Sequence, residues 1–236
     1  MKMDMESTVA NDSSENGRIK IYKFRPLGNE IDYYRLKEIL TTGKFWCSKF
    51  SELNDPMEGT FTSDDASIID TIFSKKNNYR ICSFSGEKAL LVPSMWGYYA
   101  NGFKGVAIEI EIFPTEVKQI TYGKNILHPK GKDYITVEKI LTKKLSSWKH
   151  ECEYRFLEKT NASENKIGKI AAIYFGNPYG NARNRNYIAN SSASIKSYNR
   201  FKEKIFETIR TLNDLKAYSV KIKDSMVIPK LIQKTL

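Results

Sequence analysis

Apolar residues recur along this chain with two different periods, and the switches between them lay out its elements. Residues 19–25 set Ile19 and Ile21 against Tyr22 and Phe24, the two-residue period of a strand. Residues 31–42 carry Tyr34, Leu36, Ile39 and Leu40 at helical spacing and stop at Gly43, a residue that closes helices because it tolerates positive φ. Residues 45–48 read as a short second strand, followed by a loop through 52–59 in which Asn54-Asp55-Pro56 is a strong turn signal. Beyond it the pattern predicts a helix over 66–73, a strand over 79–84 and a short helix over 93–100. Residues 105–112 alternate cleanly, with Val106, Ile108, Ile110 and Ile112 on one face and Ala107, Glu109 and Glu111 on the other.

The second half continues in the same way. Val137, Ile140, Leu141, Leu145 and Trp148 predict an amphipathic helix over 136–148 that runs directly into a strand. A strand over 167–175, a helix over 192–212 and strands over 215–222 and 225–228 complete the series. Many strands, few helices and no regular alternation or repeat imply an α+β fold: a mixed, largely antiparallel sheet with flanking helices. Residues 1–17, acidic and rich in Ser and Asn, are expected to form a disordered tail, and 18–236 a single domain.

Composition narrows the setting. Of 236 residues, 41% are hydrophobic, enough for one sizeable core, and no apolar run approaches the roughly 20 residues that span a bilayer. No membrane partner is expected. Three cysteines, Cys47, Cys82 and Cys152, are odd in number and widely spaced, which suits a reducing cytoplasm rather than a disulfide framework. Two histidines, His128 and His150, are too few for a multi-histidine metal site, and neither is a candidate for catalysis. A net charge of +11 makes nucleic acid a candidate partner.

The densest chemistry lies in residues 148–157, Trp-Lys-His-Glu-Cys-Glu-Tyr-Arg-Phe-Leu. If extended, this segment puts Glu151, Glu153 and Arg155 on one face and Cys152, Tyr154 and Phe156 on the other, so that one face reads as chemistry and the other as core. Adjacent carboxylates on one face repel unless a cation, a proton or a ligand lies between them. A solvated strand face with Arg155 as an internal counter-ion is the plain alternative.

Four segments together resemble the bacterial family called domain of unknown function 2971: Tyr22-Lys23-Phe24-Arg25, Leu53-Asn54-Asp55-Pro56-Met57-Glu58, Met95-Trp96-Gly97-Tyr98-Tyr99-Ala100 with Gly105-Val106, and Trp148-x-x-Glu151-x-Glu153-Tyr154-Arg155. The layout is also similar to the ADP-ribosyltransferase superfamily, with Arg25 on a first strand, Tyr98 or Tyr99 in the middle and Glu151-x-Glu153 on a later strand. It departs from that superfamily in placing the middle aromatics on a helix and in adding Arg155. The resemblance implies NAD as substrate, with Glu153 stabilising positive charge at the ribose, Glu151 orienting the acceptor and Arg25 holding the pyrophosphate. Tyr98, Tyr99 and Trp96 are stacking candidates, and Tyr22, Ser48 and Arg155 complete the set expected to contact NAD. The acceptor would be RNA, DNA or protein, in a toxin or phage-defence setting.

Two other readings stay open. Asp55 and Glu58 with Glu151 and Glu153 could hold a divalent metal, as in a magnesium-dependent nuclease. Alternatively, residues 179–187, where Arg183 and Arg185 lie between tyrosines, and 196–202, where Lys196, Arg200 and Lys202 neighbour Tyr198 and Phe201, suit a non-catalytic nucleic-acid-binding module. An ordinary amphipathic helix explains the second of these segments equally well.

Overall fold

The computed structural model describes residues 17–53, 55, 57, 59–128, 136–178, 192–212 and 215–232. The expected N-terminal tail, up to residue 16, and the arginine segment 179–187 lie outside the described residues. Strand β1 (Ile19–Pro26) leads through Leu27 into helix α1 (Glu30–Thr42). Asn29 caps that helix by accepting a hydrogen bond from the Asp32 N–H, and Gly43 closes it at φ 70°. After β2 (Lys44–Trp46) and β3 (Ser48–Lys49) come α2 (Ala66–Lys76), β4 (Tyr79–Gly86), α3 (Glu87–Leu90), α4 (Pro93–Tyr99) and β5 (Gly105–Ile112). Short β6 (Lys118–Gln119) and β7 (Thr121–Gly123) precede α5 (Val137–Leu141), β8 (Lys143–Leu145) and a 3₁₀ turn, Ser146–Glu151. The chain ends with β9 (Glu153–Lys159), β10 (Glu164–Lys166), β11 (Lys169–Phe175), α6 (Ala193–Arg210), β12 (Lys216–Lys223) and β13 (Met226–Leu231).

The main sheet runs β13-β12-β11-β5-β1-β4-β9-β6, with β3 added beside β4. Its neighbours are antiparallel except β11 and β12, so the expected mixed, largely antiparallel α+β architecture is what forms. The apolar row Val106, Ile108, Ile110 and Ile112 faces a core built with Leu36 and Leu40 of α1 and Tyr198, Phe201 and Ile205 of α6. Ala107, on the opposite face, packs with Leu90 of α3 and Met95 and Trp96 of α4. Helices therefore cover both faces of the central strands, and each fully buried Ile or Phe contributes about 1.5–3 kcal/mol at most. No helix among the described residues is long and apolar enough to cross a membrane.

Covering both faces forces a charge inside. Glu109 is 4% exposed, and it accepts hydrogen bonds from the hydroxyls of Tyr22 at 3.1 Å and Tyr174 at 2.5 Å, with the Lys20 ammonium at 3.4 Å. Tyr174→Phe removes one of these donors and is expected to cost about 1.5–3 kcal/mol of stability, as hydrogen bonds to charged groups do. Denaturant unfolding checks this, and an unchanged midpoint would mean that Glu109 is satisfied without Tyr174.

One predicted element is replaced. Residues 136–148 form not one amphipathic helix but a single turn and a half of helix (α5), a strand (β8) and the start of the 3₁₀ turn. The apolar spacing there serves α5, whose Val137, Ile140 and Leu141 pack on Tyr79 and Ile81 of β4, while β8 pairs in parallel with β7. Tertiary pairing overrides a helical period that only a short stretch supports.

Candidate functional site

The sheet opens between its two central antiparallel strands. β1 pairs with β4 only at Ile21 and Tyr22, opposite Gly86 and Ser85; beyond that point the strands part, and β3 takes up the edge of β4 at Ile81 and Arg80. Lys23 reaches across the opening and donates to the Ser83 carbonyl at 2.7 Å. The resulting cleft has a volume of about 640 Å³ and is bordered by β1, β3, β4, α4, β8 and the start of β9.

Cys152 lies between the 3₁₀ turn and β9 with φ 46°, and this left-handed residue changes the direction of the chain. Glu151 therefore ends a turn rather than continuing a strand, which corrects the extended reading of 148–157. Glu151 and Glu153 nonetheless both border the cleft. The second correction concerns burial: Glu151, Glu153 and Arg155 are the buried side of this segment, at 4%, 3% and 0% exposure, while Cys152, Tyr154 and Phe156 are only half-buried. The charged side is covered because α5 and β8 fold over it, and they bring its partners.

Those partners form an unbroken chain of hydrogen bonds. The Tyr99 hydroxyl donates to Glu151 Oε1, and Lys144 Nζ bridges Glu151 Oε2 at 2.6 Å and Glu153 Oε2 at 3.0 Å. Arg155 Nε donates to Glu153 Oε1 at 2.7 Å, and its Nη1 donates to the Leu141 carbonyl at 2.5 Å. The Glu153 N–H is held by the Tyr122 hydroxyl at 2.8 Å. Two carboxylates thus alternate with an ammonium and a guanidinium in a desolvated setting, where such pairs interact strongly and tolerate no missing member.

The protonation shifts follow from this geometry. Burial raises the Glu153 carboxyl above its ordinary value, opposed by the charge of Lys144 and a hydrogen bond from Ser83. Burial by itself would lower Lys144, but the charges and hydrogen bonds of Glu153 and Glu151 outweigh it and hold the amine above its ordinary value. Burial, then Glu151, raises the Tyr99 phenol, and burial pulls the Arg155 guanidinium down to about 9, still charged at neutral pH.

Two other groups in the cleft keep hydrogen-bonding capacity that no described residue meets. The Arg25 guanidinium, lowered by burial, makes no hydrogen bond or ion pair with any described residue. Asp55 accepts from the Met57 N–H at 2.9 Å through Oδ1, but its Oδ2 is buried without a hydrogen bond. Arg25 thus offers a cation at the cleft to a ligand that carries an anion.

Of the residues singled out from sequence, Glu153, Glu151, Arg25, Tyr98, Tyr99, Tyr22 and Ser48 border this one cleft. Tyr22 gives its hydroxyl proton to Glu109, so it presents no free donor. Trp96 does not reach the cleft: it is wholly buried between Phe24 and Phe103, with its N–H on the Leu90 carbonyl, and cannot stack on a ligand. Arg155 is likewise wholly buried with its donors on Glu153 and Leu141, so it supports Glu153 instead of touching NAD. Glu58 lies outside the described residues, and among the described residues no group of three or more His, Cys, Asp or Glu could hold a metal. The Lys144 ammonium occupies the position between Glu151 and Glu153 that a divalent ion would take.

Lys144 and Tyr122 were missed by sequence reasoning. Paired buried carboxylates do call for a cation, but no spacing in the chain says that Lys144 supplies it. No family model, no curated protein and no solved structure matches this chain.

Proposed function

We propose that this chain is a member of the domain of unknown function 2971 family and an ADP-ribosyltransferase-like enzyme that uses NAD to modify a macromolecule. The observation that carries the reading is the joining, in one cleft, of a buried pair of carboxylates and the Arg25 guanidinium, which has no hydrogen bond or ion pair among the described residues. A cleft of about 640 Å³ falls within the range of pockets for ligands of this class. NAD carries a pyrophosphate that suits the fork of Arg25.

In this reading the bond between ribose and nicotinamide breaks, the nicotinamide leaves with the electron pair, and an oxygen or nitrogen of the acceptor bonds to the ribose carbon. Glu153, paired with Lys144 and Arg155, faces the positive charge that develops at that carbon. Glu151, fixed by Tyr99 and Lys144, orients the acceptor and receives its proton. Lys144 sets the electrostatics of both carboxylates. Three widely spaced cysteines, odd in number, suit a reducing cytoplasm as the setting of this activity.

The test is incubation of the purified protein with labelled NAD and separate pools of RNA, DNA and cell protein, with and without chelator. Label transfer that survives chelator is expected. Metal-dependent cleavage of nucleic acid without NAD consumption would replace this reading with the nuclease. Arg25→Ala is expected to raise the KM for NAD about 10- to 100-fold, the effect of losing one charge-assisted contact. An unchanged KM would remove Arg25 from the pyrophosphate site.

A further inference from the structure

The mouth of the cleft is lined by aromatic rings that the chemistry above does not use. Tyr98 is 71% exposed at the end of α4, and Trp46 is 57% exposed at the end of β2. Both border the cleft, as does the half-buried Trp148 of the 3₁₀ turn, whose ring centre lies 5.0 Å from the Lys144 ammonium. His150 joins two of them: its ring centre lies 6.4 Å from that of Tyr98 and 6.2 Å from that of Trp148, nearly parallel to the latter. Exposed rings that border one concave pocket are the kind of surface that marks a binding site.

Positive charge accompanies the rings. Lys149 lies between Trp148 and His150 in the chain and is exposed. Lys49 is exposed one residue beyond Ser48 on the cleft's other border. Flat aromatic faces flanked by lysines, on a chain of net charge +11, match a ligand with alternating planar bases and phosphates. An acidic peptide would use the lysines but leave the rings without a function, and a duplex would offer phosphates with its bases already stacked on each other.

We propose that the mouth of this cleft binds a single-stranded polynucleotide, with bases stacked on Tyr98 and Trp46 and phosphates met by Lys149 and Lys49. That this strand is the acceptor of ADP-ribose rests on the reading given under Proposed function; the binding itself does not.

The test titrates the full chain with a twelve-nucleotide oligo(U), the matching oligo(dT), a twelve-base-pair duplex and polyglutamate, following tryptophan fluorescence at several salt concentrations without NAD. Both single strands are expected to quench the fluorescence and to weaken steeply with salt, and the ratio of the two affinities identifies RNA or DNA as the preferred strand. Tyr98→Ala and Trp46→Ala are each expected to weaken binding about tenfold or more, the effect of losing one base-aromatic stack. These side chains are exposed, so circular dichroism should stay unchanged. Equal binding of polyglutamate and oligonucleotide, tighter binding of the duplex, or full affinity in both variants would overturn the proposal. Oligonucleotide binding by a protein that never consumes NAD would leave this inference standing and remove the transferase; NAD consumption without oligonucleotide binding would do the reverse.

Discussion

Replacing Lys144 by Met is expected to destabilise the protein by about 3–5 kcal/mol, because it leaves two buried carboxylates facing each other without their shared cation. For a chain of this length that is a fall in Tm of roughly 10 °C or more. The pH dependence identifies the cause. Lys144 titrates above its unfolded value of 10.5, so its contribution is fully present below that pH and is lost only as pH rises through the higher folded value. The Glu153 carboxyl is raised in the folded state, so its ionisation opposes folding once the pH exceeds the unfolded value near 4.5. Without Lys144 that opposition grows. Thermal melts of Lys144→Met should therefore recover stability on acidification from neutral pH to about pH 5, more than the wild type does. A melt within about 1 kcal/mol of wild type, with no recovery in acid, would mean that the ammonium does not balance the pair. Combining Lys144→Met with Glu151→Gln removes one of the two repelling charges and should restore part of the loss.

Glu153→Gln is expected to lower NAD turnover by about 10²–10⁴-fold, the range associated with losing a charged catalytic group, with a smaller change in KM. The amide keeps the shape and can still accept from Arg155, but it brings no negative charge to the ribose. Single-turnover rates with labelled NAD provide the check, and a melt of the same variant separates catalysis from folding. Turnover within threefold of wild type in a folded variant would transfer the role to Glu151. Glu151→Gln should impair transfer to the acceptor more than the consumption of NAD by water, since its assigned task concerns the acceptor.

Much of the fold was legible because it is written in local periods. The strand over 105–112 alternates along its whole length, and β5 occupies those same residues. The helix stop at Gly43 is a property of glycine itself, and the observed φ of 70° is the conformation that glycine adopts without strain. The long apolar stripe of 192–212 becomes α6, whose Tyr198 and Phe201 are buried; in that segment the ordinary amphipathic helix, not a base-stacking surface, describes the aromatics. The period failed over 136–148, where a handful of apolar residues fits a helix but strand pairing with β7 prevails.

The candidate site was legible in its residue types but not in its wiring. Glu151 and Glu153 stand out in sequence because their adjacency demands a counter-charge. Arg155 looked like a ligand-binding group and proves to be wholly buried support. Trp96, Tyr98 and Tyr99 look alike as neighbours in sequence, yet one is core, one faces water and one holds Glu151, because a helix turns successive residues by about 100°.

By itself, the sequence determined the positions of most strands and helices, the mixed α+β class and the concentration of charge in 151–155, since each depends on residues within a few positions of one another. Only the tertiary structure decided that Tyr99 meets Glu151 across 52 residues, that Lys144 lies between the carboxylates, and that β1 and β4 part to open the cleft. Those choices are made by packing and desolvation among distant segments, where a buried charge takes whichever partner the fold carries to it.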